Sequence, residues 1–184
     1  FVNGVQEAST TSSANFTSTT ALNIGLDPLN TNQKFIGYIS NLRLVKGSAV
    51  YTSAFTPSTT PLTAITNTSL LTNFTNASIP DLAMMNDLET VGNAQISTSV
   101  VKYGTGSMYF DGTGDYLTAP ANSILDFGTG DFTVEFWCYR TNAWNTDAAF
   151  MSKGGWLWNS GTNANGWSII TTPSYFISVS YTHL

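Results

Sequence analysis

The segment Asp131–Arg140 constrains the fold more than any other part of this sequence, because its apolar side chains recur at every second position. These residues are Phe132, Val134, Phe136 and Cys138. A period of two places them on one face of an extended strand, whereas an amphipathic helix needs apolar residues three and four positions apart. The segment is therefore predicted to be a long β-strand with one buried face. Cys138 is then a small buried apolar residue rather than a reactive thiol.

Other short segments also have the character of strands, and each is bounded by Gly, Asn, Asp or Pro turn residues. They are Thr20–Gly25, Lys34–Val45, Ser69–Phe74, Ser107–Phe110, Asp115–Ala119, Ala148–Ser152, Gly166–Thr171 and Ser174–Tyr181. Short strands at this spacing are typical of a β-sandwich or jelly roll, so the chain is predicted to be all-β. Only Pro80–Leu88 has apolar residues at helical spacing, and a short helix and a loop are both open there.

Two segments carry turn or connection signals. Val2-Asn3-Gly4-Val5 is predicted to form a hairpin, because Asn-Gly favours the type I′ turn that joins twisted strands. The stretch between Thr52 and Asn67 is rich in Ser and Thr, and Pro57 and Pro61 remove backbone donors there. This stretch is predicted to be an irregular connection and the boundary between two parts of the chain.

The low charge of the chain excludes some classes of partner. Only 9% of the 184 residues are charged, with 6 Lys and Arg against 11 Asp and Glu. Proteins that bind DNA or RNA cluster Lys and Arg on one face, so no nucleic-acid partner is expected. A transmembrane helix needs roughly 20 consecutive apolar residues, and no such run occurs in the sequence, so membrane insertion is not expected.

The reactive residue types are scarce as well. Cys138 is the single cysteine, which leaves neither an internal disulfide nor a zinc site built on cysteines. His183 is the single histidine and the penultimate residue, where fraying is common. A nucleophilic triad that needs a positioned histidine is therefore not expected.

Glycine-bearing turns and aromatic strands follow one another in a recognisable order. Gly106–Gly112, Gly114–Leu117 and Phe127–Trp137 together resemble the front half of a laminin G-like domain of the concanavalin A-like superfamily. Val2–Val5, Leu22–Gly25 and Phe35–Leu44 resemble the back half of the same type of domain. The resemblance implies a concanavalin A-like jelly-roll sandwich of antiparallel sheets. Where many members of the family carry an acidic residue after the Gly-aromatic-Ile strand, this chain has Ser40 and Asn41.

The back half precedes the front half, so the chain is expected to be a window cut from a tandem array. Residues 1–66 would be the C-terminal half of one domain and residues 67–184 the N-terminal half of the next. Either half alone would leave sheet edges and apolar surface exposed, at about 25 cal/mol per Å² of apolar area. The halves are therefore expected to pair into one circularly permuted sandwich, with Lys34–Val45 beside or near Asp131–Arg140.

The resemblance also implies a function. Members of the family usually bind glycans or proteins, sometimes with calcium, and similar Ser/Thr/Asn-rich units occur in phage tail fibres, other virion structural proteins and bacterial surface adhesins. We expect a non-catalytic extracellular or virion-surface module that binds glycans or cell-surface receptors and adjoins neighbouring repeats of the same chain. A purely structural spacer repeat is the alternative, and a fragment of a glucanase-like glycoside hydrolase is a third.

A tryptophan-rich region is the candidate glycan site. Exposed indole rings can stack on sugar rings, and neighbouring Asn side chains can supply hydrogen bonds. The candidate residues are Trp144, Trp156, Trp158, Asn159, Asn163 and Trp167. The other interpretation is that these tryptophans are core residues, since Trp is highly buried on average.

Acidic residues offer candidates for a calcium site, which needs several oxygen ligands that converge on one point. The candidates are Asp27, which precedes Pro28 in a loop, and Asp111 with Asp115, which are followed in sequence by Asp126 and Asp131. Three of the last four adjoin glycine, and Asp often closes its own turn, so a purely structural role is the alternative.

No catalytic residues are expected. Glycoside hydrolysis uses two carboxyl groups that face each other, and Glu7, Glu89 and Glu135 are isolated in the sequence. Glu135 is expected to be a solvated or hydrogen-bonded strand residue. Arg43 and Lys46 are expected to be solvated residues at a strand end.

Overall fold

The structure of the protein is a computed structural model. It describes residues 1–9, 14–27, 33–74, 79, 81–83, 86–142, 147–154, 166–172 and 175–180, the last seven of these by their backbone alone. The strands are β1 (Leu22–Ile24), β2 (Gly37–Lys46), β3 (Thr68–Thr72), β4 (Glu89–Val91), β5 (Gln95–Ser97), β6 (Ser107–Phe110), β7 (Tyr116–Ala119), β8 (Phe132–Arg140), β9 (Ala148–Lys153), β10 (Trp167–Thr172) and β11 (Tyr175–Ser180). Within the described ranges there is no α-helix, and Ser123–Leu125 forms one 3₁₀ turn.

The strands form two antiparallel sheets. One sheet has six strands in the order β11-β10-β9-β1-β7-β4. The other sheet has the order β3-β2-β6-β5, and β8 pairs with the side of β2 that faces away from β3 and β6. The protein is therefore an all-β sandwich, which confirms the predicted fold class.

The two long strands are neighbours, as the sequence predicted. Strand β2 pairs with β8 in antiparallel register from Gly37 opposite Arg140 to Lys46 opposite Phe132. Strand β1 likewise lies between β7 and β9 in the other sheet. Strands from before and after residue 66 thus share both sheets and one core.

The core lies between the sheets and is rich in aromatic rings. Phe35 is fully buried, and its ring centroid lies 4.8 Å from that of Phe150 and 6.0 Å from that of Phe110.

Strands β2 and β8 approach each other closely at Gly37. A Cβ at Gly37 would lie 2.1 Å from the carbonyl oxygen of Tyr139, and its φ of 146° disfavours any other residue. The glycine of the Gly-aromatic-Ile pattern is thus required by the strand pairing.

Other local predictions have mixed outcomes. Val2 and Val5 form the predicted bridge around Asn3 and Gly4, whose φ values of 51° and 82° suit a type I′ turn. The described residues of Pro80–Leu88 form a turn and not a helix. Strands β4 and β5 were not predicted, because they are only three residues long and lack a buried alternating face. No helix among the described residues has the length and hydropathy to cross a membrane.

Candidate functional site

The candidate site begins with an irregularity in β2. The register with β8 shifts between Ser40 and Arg43, so β2 has one extra residue there. Asn41 lies at this bulge with a φ of 52°, a conformation that Asn tolerates better than most residues. Its side-chain oxygen accepts a hydrogen bond from the Leu62 N–H at 3.1 Å. The bulge therefore fixes the connection after β2 to the outer face of the sheet.

A buried ion pair fixes the same connection a second time. Arg43 and Glu135 lie opposite each other on β2 and β8, and the Arg43 Nε donates to Glu135 Oε1 at 2.7 Å. Arg43 Nη1 donates to the Thr63 carbonyl at 2.7 Å, and the Tyr51 hydroxyl donates to Glu135 Oε2 at 2.8 Å. Burial, followed by this hydrogen bond to Glu135, raises the pKa of Tyr51.

The burial of Arg43 corrects one sequence-based expectation. Its side chain is only 7% exposed, so Arg43 is not a solvated strand end. The charge is tolerated because a carboxylate and a backbone carbonyl both accept its hydrogen bonds. Glu135 was expected to be either solvated or hydrogen-bonded, and it is hydrogen-bonded.

The connection and the sheet enclose a cleft of about 740 Å³. Its floor is the outer face of β2 and β8, and residues between Tyr51 and Leu62 form one wall. We call this space the aromatic cleft, after the rings in its lining that do not belong to the core-facing side of β8: Phe1, Tyr38, Tyr51, Phe55, Trp137 and Tyr139. Tyr139 is 57% exposed, so a ligand can reach its ring from solvent.

The rings are held by one another and by a cation. Tyr51 and Phe55 stack with centroids 3.6 Å apart and planes 6° from parallel. The Tyr38 and Tyr139 centroids are 6.1 Å apart across the strand pair. Lys102 Nζ lies 4.7 Å from the ring centroid of Trp137, within range for a cation–π interaction. The cleft therefore presents several fixed aromatic faces beside one exposed ammonium group.

This site was not predicted from the sequence, although the sequence carries a signal for it. Trp137 and Tyr139 occupy the face of the alternating segment opposite to the one that was predicted to be buried. Large aromatic side chains at positions that point away from a core are typical of binding surfaces. Their partners Tyr51 and Phe55 come from the irregular connection, where periodicity carries no information.

Among the residues that the structure describes, the lining of the cleft includes one carboxylate. This is Glu135, and both of its oxygens already accept hydrogen bonds. Hydrolysis of a glycosidic bond requires two carboxyl groups on opposite sides of that bond. The lining thus offers stacking surfaces and hydrogen-bonding groups but not this pair.

Comparison with known proteins leaves this geometry as the basis for interpretation. No family model, curated protein or solved structure matches the chain. A functional assignment therefore depends on the chemistry of the cleft.

The predicted glycan residues lie elsewhere or outside the described part of the chain. Trp144, Trp156, Trp158, Asn159 and Asn163 fall outside the described residues. Trp167 is fully buried at the start of β10, and its ring stacks on Phe127 with centroids 4.5 Å apart. The glycan-binding prediction is corrected at Trp167, because a core indole has no face open to a sugar.

The candidate calcium ligands Asp111 and Asp115 serve as turn residues. Asp115 is buried and accepts hydrogen bonds from the N–H groups of Asn93 at 2.8 Å and Asp111 at 2.9 Å. Asp111 accepts from the Asn93 side chain at 3.0 Å and from the Thr113 N–H at 2.6 Å, and these bonds lower its pKa. Oxygens so occupied do not fit a calcium site, which needs six to eight oxygen ligands.

The remaining acidic candidates also lie in structural positions. Asp27 is fully buried, and its N–H donates to the Gln33 carbonyl at 3.3 Å. Asp126 pairs with the fully buried Lys153 at 2.6 Å and accepts a second hydrogen bond from the Ser18 N–H. Among the residues that the structure describes, no three His, Cys, Asp or Glu side chains are grouped to hold a metal.

Proposed function

We propose that the chain is a non-catalytic carbohydrate-binding module and that the aromatic cleft is its binding site. The observation that carries this proposal is the row of rings along the outer face of β2 and β8, where Tyr139 is exposed and Trp137 is half-buried. Sugar rings carry apolar C–H faces that stack on aromatic side chains, and their hydroxyls pair with polar groups at the edges.

The rigidity of the cleft supports binding. Tyr51 is fixed by Glu135, and Leu62 by Asn41, so the wall is held to the floor before any ligand arrives. A preorganised site loses less conformational entropy when it binds. The volume of about 740 Å³ lies within the range of small-molecule sites and suits an oligosaccharide of a few rings.

The family resemblance extends the proposal to location and partners. We propose that the module belongs to an extracellular fibre or adhesin and binds the glycans of a cell surface. Glu135, the one carboxylate in the described part of the lining, argues for binding without hydrolysis, since it is already engaged by Arg43 and Tyr51. A structural spacer repeat remains the competing assignment.

A glycan array probed with the intact chain, with and without added calcium, tests the proposal. We expect binding to a restricted set of glycans in both conditions. Trp137→Ala should weaken the best hit at least about tenfold in titration calorimetry, which is ~1.4 kcal/mol and close to the value of one aromatic contact.

Tyr116→Ala is the matched control, because Tyr116 is a half-buried aromatic residue of β7 that does not line the cleft. It should leave the affinity unchanged. An array without hits in either condition would reject the proposal and favour the spacer. Equal losses in the Trp137 and Tyr116 variants would place the site outside the cleft.

A further inference from the structure

The long strand β8 is hydrogen-bonded on one side. Among the described strands it pairs only with β2. Two bonds define which residues face β2: the Thr141 N–H donates to the Ile36 carbonyl, and the Gly47 N–H donates to the Asp131 carbonyl. The backbone N–H and C=O groups of an antiparallel strand point to alternate sides from one residue to the next. The backbone groups of the odd-numbered residues of β8 therefore face β2. The backbone groups of the even-numbered residues therefore face the other edge: Phe132, Val134, Phe136 and Cys138.

This edge of β8 lies beside the aromatic cleft and is partly open to solvent. The lining of the cleft includes every residue of β8 from Phe132 to Tyr139, among them Val134 and Phe136, whose side chains pack toward the core. Residues 132–138 are all half-buried, which agrees with an open edge.

This edge lacks the features that normally prevent strand addition. Natural sheets protect their edges with short strands, Pro, Lys or bulges. Strand β8 is nine residues long and contains neither Pro nor Lys. The bulge in this pair lies in β2, and Glu135, the one carboxylate of β8, is engaged by Arg43. The edge is therefore suited to receive another strand.

A second copy of β8 matches this edge in length and in hydrogen-bonding pattern. Apart from β8, the only described strand longer than six residues is β2, which is already paired on both sides. An antiparallel edge is self-complementary about a two-fold axis, so two β8 strands present matching donors and acceptors.

The side chains select the register. An axis through Phe136, the middle residue of β8, overlaps the strands most fully and makes about six hydrogen bonds between residues 134–138 of the two copies. It places Val134 opposite Cys138 of the second copy and Glu135 opposite Trp137. An axis through Glu135 would instead place two carboxylates opposite each other, which is unfavourable.

We propose that the chain forms a two-fold symmetric dimer in which the β8 strands of two copies pair about Phe136. The dimer does not depend on the proposed carbohydrate binding. It joins the two β2–β8 sheets, so the aromatic clefts of the two copies lie on one face of a continuous sheet. A ligand with repeated sugar epitopes then meets two sites on one surface.

A cysteine cross-link tests the register. Val134→Cys places a new thiol opposite the native Cys138 of the second copy, at a Cα separation of about 5.5 Å, which a disulfide can span. Oxidation with copper phenanthroline should give a covalent dimer that a reductant converts back to monomer. Peptide mapping should find a disulfide between residues 134 and 138. Thr133→Cys is the matched control, because residue 133 faces Tyr139 of the second copy and should not cross-link.

Sedimentation velocity tests the association without cross-linking. The wild-type chain should show a monomer–dimer equilibrium that depends on concentration. Val134→Pro should weaken it at least about tenfold, because it removes two outward donors per dimer and leaves the β2–β8 hydrogen bonds intact. A monomeric wild type, a 134–134 link, equal cross-linking of the Thr133 control, or undiminished association of the proline variant would each overturn the proposal.

Discussion

Replacing Glu135 by Leu should destabilise the protein through Arg43. The Arg43 side chain is 7% exposed and that of Glu135 is 17% exposed, so the pair is largely shielded from water. Without Glu135, the guanidinium keeps only the Thr63 carbonyl, and Tyr51 loses the acceptor for its hydroxyl. The substitution therefore leaves a buried charge without its counter-charge.

The expected cost is about 3–4 kcal/mol. Breaking a buried pair costs about 3–5 kcal/mol, and the partial exposure of Glu135 places this pair near the lower limit. The lost Tyr51 hydrogen bond adds about 1 kcal/mol. The double variant Arg43→Met with Glu135→Leu should lose only about 1–2 kcal/mol, because an apolar pair replaces both charges.

Urea unfolding monitored by tryptophan fluorescence measures all four members of this cycle. The coupling energy between positions 43 and 135 should be at least about 2 kcal/mol. The slope of the unfolding free energy against urea should be unchanged, since the fold is kept. Additive effects within about 0.5 kcal/mol, or a Glu135→Leu cost below about 1 kcal/mol, would refute the assigned role of the pair.

Three further predictions concern other buried groups. Asp126→Ala should cost about 3–5 kcal/mol in urea unfolding because it leaves the fully buried Lys153 with the Ser18 carbonyl but without a counter-charge, whereas Lys153→Met should cost much less. Burial raises the pKa of Cys138 to about 11, so at neutral pH its reaction with iodoacetamide should be about a hundredfold slower than that of the unfolded chain; equal rates would contradict this. The raised pKa of Tyr51 means that its stabilising contribution is present below the unfolded pKa and is lost as pH rises through the folded pKa. Stability measured at alkaline pH should therefore fall less in Tyr51→Phe than in the wild type.

The strands were predictable because burial repeats along them. Phe132, Val134 and Phe136 all pack against the core, and their spacing of two residues in the sequence records that contact directly. The hairpin at Asn3-Gly4 was predictable for a local reason, since few other residue pairs adopt two positive φ angles in succession. Strands β4 and β5 were missed because they are short and partly exposed.

The aromatic cleft was not predictable in the same way. Its floor comes from β2 and β8 and its wall from the connection after β2, and these parts meet through bonds between residues far apart in the chain. Tyr51 and Glu135, for example, are separated by 84 positions. The glycan site was predicted in the tryptophan-rich region instead, because its tryptophans lie close together in the sequence. Trp167, however, is a core residue.

The sequence by itself determined the longer strands, the Asn3-Gly4 hairpin and the fold class, because alternation and turn chemistry are local properties of the backbone. The tertiary structure decided which charges are paired, which rings share a cleft and which strand edge stays open. Those properties depend on the register between β2 and β8 and on the bulge at Asn41. Alternation within one strand shows which of its residues share a face, but the pairing and the bulge join residues that are far apart in the sequence.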